Sequence, residues 1–200
     1  MDKATSRIIA NWFRKKYSEI DENMTQIPKK CKQGCDFCCY QSIEILEWEK
    51  ELISEHIIYQ LSQTQKDYLK SQLKLWFDYF DLRMPNKEIL SSNDIFKTFN
   101  QQVAKDAIPC LFLENHKCMI YEVRPFRCRM HVVNKLPASC KENPLSNSLP
   151  KALDLRKKVF SEIVSKIPST LTLLNFAIAP LFGLEYRLRI FEEPQLESVI

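Results

Sequence analysis

The chain has 200 residues, 45% of them apolar and 27% charged, with a formal charge of +4, the make-up of a globular protein large enough to bury a core without covalent staples. Only two glycines occur, Gly34 and Gly183, which argues against folds built on tight phosphate-binding turns and so against a Rossmann or P-loop enzyme. Lys and Arg are interspersed with Asp and Glu rather than gathered on one face, so a nucleic-acid partner is not expected.

In chain order, Ile8, Ile9, Trp12, Phe13, Tyr17 and Ile20 recur at helical spacing and predict an amphipathic helix from about Thr5 to Glu22. The stretch Met1 to Glu19 lacks the continuous apolar run and cleavage site of a signal peptide, which points to the cytoplasm. A cysteine-rich loop, Lys29 to Tyr40, follows. Ser42 to Ile45 reads as a short strand and Glu47 to Leu61 as a helix with Trp48, Leu52, Ile53 and His56 on one face. Thr64, with Asp67 three residues on, starts a further helix that runs through Trp76 and Phe77 towards Phe80 and ends before Pro85. A shorter helix is predicted over Asp94 to Val103.

Two short apolar runs, Cys110-Leu-Phe-Leu and Cys118-Met-Ile-Tyr, flank the polar segment Glu114 to Lys117 and predict a small β-hairpin. From Arg124 to Pro150 four prolines punctuate a stretch expected to be loop-rich. Two closing helices are predicted, Leu153 to Ile167 and Ser169 to about Arg189. The longest apolar stretch, Leu171 to Leu184, is broken by Asn175 and Pro180 and is too short for a hydrocarbon layer of roughly 30 Å, so no membrane span is expected. The expectation is a mainly α fold: one domain over residues 1–200, helices framing a cysteine-lined loop and hairpin at about 29–140.

Eight cysteines carry the chemistry: Cys31, Cys35, Cys38 and Cys39 in one C-x3-C-x2-C-C knot, then Cys110, Cys118, Cys128 and Cys140 singly. Disulfides and small buried core residues are the alternatives. Four thiols within nine residues are too dense for scattered core filling, and metal ligation is the stronger reading. Thiolates suit zinc in tetrahedral sites or iron in sulfide-bridged clusters. Gly34 supplies the backbone freedom that such a turn needs. The adjacent pair Cys38 and Cys39 fits one ion poorly, because neighbouring side chains diverge. The spacing Cys31-x3-Cys35-x2-Cys38 also matches that of radical S-adenosylmethionine enzymes, but their alternating strands and Gly-rich loops are missing.

The pattern Cys31-Lys-Gln-Gly-Cys35-Asp-Phe-Cys38-Cys39, then Pro109-Cys110-Leu-Phe-Leu, then Cys118-Met-Ile-Tyr-Glu-Val-Arg-Pro-Phe-Arg-Cys128-Arg129 resembles the cysteine-cluster proteins of the YkgJ type. The likeness covers about Cys31 to Cys140. It implies zinc or iron chelation, with one departure: the first spacing is three residues where that family's CxxCxxCC pattern has two. A flagellin lysine methylase is similar in its cysteine pattern, which keeps an iron-sulfur methyltransferase or redox enzyme as the alternative.

Around Cys128, the positive charges of Arg124, Arg127, Arg129 and His131 would stabilise thiolates; a structural pairing such as Arg124 with Glu122 is the equal alternative. His116 and His131 are candidate ligands in a cysteine's place, with surface positions the expected outcome. His56 reads as a core or boundary residue, and Tyr121 and Phe126 as shields around the site. Substrate and protein partner are not legible.

Overall fold

The computed structural model describes residues 3–31, 34–83, 93–134, 140 and 148–185. Its first helix, α1 (Lys3–Thr25), buries Ala10, Phe13, Tyr17, Ile20 and Met24, spaced alternately three and four residues apart along one face. A 3-10 turn at Phe37–Cys39 follows, then strand β1 (Glu44–Leu46), helix α2 (Glu49–Gln60) and helix α3 (Gln63–Arg83). The start of α3 is fixed by Ser62: its Oγ accepts from Gln65 N at 3.2 Å while its own N–H donates to Gln65 Oε1 at 3.0 Å. The cap expected at Thr64 with Asp67 is thus corrected: it stands two residues earlier and on different partners.

Helix α4 (Asn93–Lys105) leads into the hairpin β2 (Leu113–Glu114) and β3 (Lys117–Cys118), with Leu113 opposite Cys118. Asn115 and His116 have φ of 48° and 62°, the left-handed pair that a two-residue hairpin turn demands. The strand is shorter than expected, because Leu113 N donates to Cys110 O at 2.9 Å and folds residues 110–113 into a turn. After a 3-10 turn at Tyr121–Val123, the described part of the stretch expected to be loop includes a helical turn, α5 (Phe126–Arg129). Helix α6 (Pro150–Lys166) starts with proline in its first turn, where no amide donor is missed. Pro85 lies outside the described residues.

The expected helix from Ser169 to Arg189 is corrected. Leu171–Leu173 forms strand β4, antiparallel to β1 with Ile45 opposite Thr172. Leu171 and Leu173 are buried and Thr172 is not, a period of two that the uniformly apolar sequence concealed. Among the described residues of that span only Leu174–Ile178 (α7) is α-helical; Ala179–Phe182, with Pro180 in it, tightens into a 3-10 turn that Gly183, at φ 64°, closes. Residues 186–189 of that expectation lie outside the described part.

Two apolar clusters result, and β1 with α2 divides them. Ile45, Ile53 and Ile57 face a cluster built on α3, α4, the hairpin and α7, where Trp76 and Phe80 are fully buried and Phe80 stacks on Phe99 at 5.1 Å. Leu46 and Leu52 face the other, built on α1, α5 and α6. Among the described residues no helix is long and apolar enough to cross a membrane.

Candidate metal centre

The cysteine knot and the hairpin meet through the backbone. Cys110 N donates to Cys39 O at 2.6 Å, so residues 71 apart in sequence are in direct contact. A second tie joins the hairpin turn to the knot, where His116 Nδ1 pairs with Asp36 Oδ2 at 2.8 Å. Trp76 Nε1 donates to Pro109 O and Tyr68 Oη to Leu113 O, anchoring the same segment on α3. The loop after α5 closes the ring: Val133 N donates to Cys31 Sγ at 3.3 Å and Lys30 N to Val133 O at 3.2 Å.

These ties enclose a cavity of about 250 Å³ at the seam of the two apolar clusters. Cys31, Cys35, Cys38 and Cys39 line it from the knot, and Cys110, Cys118 and Cys128 from the hairpin and α5. Cys140 is buried and outside that wall, near enough for its charge to act on Cys35. All eight are free thiols.

The thiols feel one another. The adjacent Cys38 and Cys39 thiols act on each other, which holds the Cys38 thiol below the ordinary value and raises that of Cys39. The neighbouring side chains therefore do not diverge as expected; the 3-10 turn at Phe37–Cys39 places both sulfurs together. Burial pushes Cys110 up to about 12, with the Cys118 and Cys38 charges adding to it. Burial likewise raises Cys128 far above the ordinary value, again with Cys110, Cys118 and Cys38 adding. Cys118 is raised by burial while the Arg124 charge pulls it down. Cys35 is raised by burial, then by Cys31, Cys38 and Cys140. Such a set resists ionisation on its own and favours a bound cation that supplies the missing countercharge.

The positive groups divide the work. Arg124 stacks on the Tyr121 ring, 3.9 Å from its centroid, and donates to Tyr121 O at 2.6 Å. Of the two equal alternatives it therefore does not take the pairing with Glu122, and its charge falls on Cys38 and Cys118. Arg127 pairs with Glu44, and the buried Arg129 with Asp21 and the Glu122 carbonyl. His131 is half-buried rather than on the surface, its Nδ1 is 3.0 Å from Ser148 Oγ, and burial with the Arg156 charge lowers its pKa. The exposed His116 is tied to Asp36. Phe126 is a core residue that stacks on Phe160, whereas Tyr121 lines the cavity. His56, between core and surface as expected, has Nε2 3.2 Å from Met119 O.

Sequence reasoning missed Asp36, Ser42, Asn100 and Arg156, which also line the cavity. Asp36 stands inside the knot and was open to notice; the others come from segments with no cysteine.

Among the described residues, no three Cys, His, Asp or Glu side chains stand in the arrangement of a formed metal site. The donors nevertheless fit a thiophilic ion in kind and in placement around one cavity, and a rotamer change re-aims a cysteine sulfur without moving its backbone. A family model with the CxxCxxCC pattern, described as "Putative zinc- or iron-chelating domain", matches residues 30–148. No curated protein and no solved structure matches the chain.

Proposed function

The chain belongs to the CxxCxxCC family, and from that premise we propose that it holds zinc or iron through the thiolates of the cysteines around the cavity. The observation that carries this reading is the lining of one cavity by seven cysteines from separate stretches of sequence. Cys38, Cys39, Cys110, Cys118 and Cys128, each within electrostatic reach of others in the group, form the inner set. Cys31, Cys35 and Cys140 form an outer set that meets it through Cys35 and Cys38. One tetrahedral ion takes four ligands, so this many thiols suit a cluster or more than one metal atom. Free thiols in this number call for a reducing compartment, which makes the cytoplasm the proposed location.

A second reading is an iron-sulfur enzyme, a redox protein or a lysine N-methylase-like methyltransferase. Its support is that the cavity extends past the sulfurs to a wall of arginines, leaving space for a substrate beside an open metal position.

Elemental analysis of anaerobically prepared protein, with acid-labile sulfide measured on the same sample, tests both. A brown protein with sulfide supports the iron-sulfur reading, and a colourless one with zinc supports the first. Cys35→Ser and Cys128→Ser each lower metal content and melting temperature together, because metal binding and folding are linked. Unchanged metal content in both variants would overturn the assignment.

A further inference from the structure

Four arginines line the cavity, and three have evident work: Arg124 acts on the thiols, Arg127 pairs with Glu44 and Arg129 with Asp21. Arg156, on α6, is the exception. It is partly buried, and among the described residues it has neither a carboxylate partner nor a hydrogen bond. A guanidinium carries five donors and no acceptor. None of its side-chain nitrogens is sealed away from solvent, so these donors stand open to a ligand that enters the cavity.

The forces on Arg156 point the same way. Its pKa is lowered to about 10, first by burial and then by the neighbouring Arg127, and no thiol contributes. Its charge is therefore not spent on the cysteines.

We propose that Arg156, with Arg127 beside it, forms a subsite for the carboxylate or phosphate group of a small-molecule ligand that enters the thiol-lined cavity. A planar guanidinium grips either oxyanion through two parallel N–H donors. The cavity volume, about 250 Å³, limits the ligand to a small molecule, since drug-sized sites run from about 300 Å³ upward. The proposal rests on the metal reading only for what the ligand would lie against; the anion contact itself needs no metal.

The test is calorimetric titration of the full chain with inorganic phosphate and, separately, with succinate, metal content being measured on each sample. Saturable binding of at least one probe is expected, and the tighter one identifies the oxyanion. Arg156→Met weakens it at least tenfold at unchanged metal content, without lowering the melting temperature, because it removes an unpaired charge. Arg156→Lys, which keeps the charge and loses the fork, weakens binding less, and Lys157→Met on the exposed side of α6 leaves it as in the parent. The subsite is overturned if neither probe saturates the parent protein, if Arg156→Met binds like the parent, or if it melts lower and loses metal, the mark of a structural arginine. Anion binding by a chain that holds no metal would keep the subsite and refute the metal centre.

Discussion

Phe126 N donates to Glu49 Oε1 at 2.8 Å, so the turn of helix that carries Cys128 hangs from a fully buried carboxylate on α2. The same carboxylate accepts from the Tyr17 hydroxyl and, at 2.9 Å, from Leu46 N. Four elements, α1, β1, α2 and α5, thus share one acceptor group. Burial raises the Glu49 pKa while these donors and Arg127 pull it down.

Glu49→Gln exchanges one acceptor oxygen for an amide that faces a backbone N–H. The expected cost is about 1–3 kcal/mol, that of leaving a buried donor unpaired. Metal content falls as well, because Cys128 loses its anchor. Urea titration and elemental analysis of the variant check both; unaltered stability would show that the latch is dispensable.

Gly34 stands between Cys31 and Cys35 at φ 88°, and a Cβ there would meet no atom within 4 Å. Gly34→Ala therefore carries backbone strain alone, about 1–2 kcal/mol for a left-handed non-glycine residue. The knot is expected to bind metal more weakly, read by competition with a chelator. A variant as tight as the parent would show that the knot tolerates another backbone path.

Trp76 is fully buried, and its indole N–H donates to the carbonyl of Pro109, the residue before Cys110. Trp76→Phe keeps most of the apolar contact and leaves that carbonyl unpaired, for an expected loss of about 1–3 kcal/mol. Denaturant unfolding measures it, and an unchanged midpoint would contradict the anchoring role.

Asp106 accepts from Gln102 and Tyr79 and pairs with Arg83, and these contacts, Gln102 first, hold its carboxyl below the usual Asp value. A carboxyl depressed in the folded state gives stability that is fully present above its unfolded value and is lost as pH falls through the folded one. The parent protein should thus lose more stability than Asp106→Asn on acidification below the ordinary Asp pKa. Urea midpoints for the pair at neutral and acid pH decide it; parallel curves would refute the linkage.

How much of this was legible in the sequence depended on the range of the interaction. Phe13, Tyr17 and Ile20 announced α1 because helical period is local, and the cysteine pattern announced a thiol site because four ligand-type residues fall within nine positions. Leu171 to Leu173 was misread because a strand of three residues in an apolar run shows no period until its partner, Glu44 to Leu46, is known. The meeting of Cys39 with Cys110 was expected from chemistry but rests on a backbone bond that no pattern encodes. Arg156 gave no signal, since its importance lies in having no partner, a property of the folded chain alone.

X-ray absorption at the metal edge, on the parent protein and on Cys118→Ser, tests the central claim most directly. The account predicts sulfur neighbours at about 2.3 Å from zinc or iron, fewer of them once Cys118 is removed. A shell made only of nitrogen and oxygen, or a sulfur shell untouched by the loss of Cys118, would contradict it.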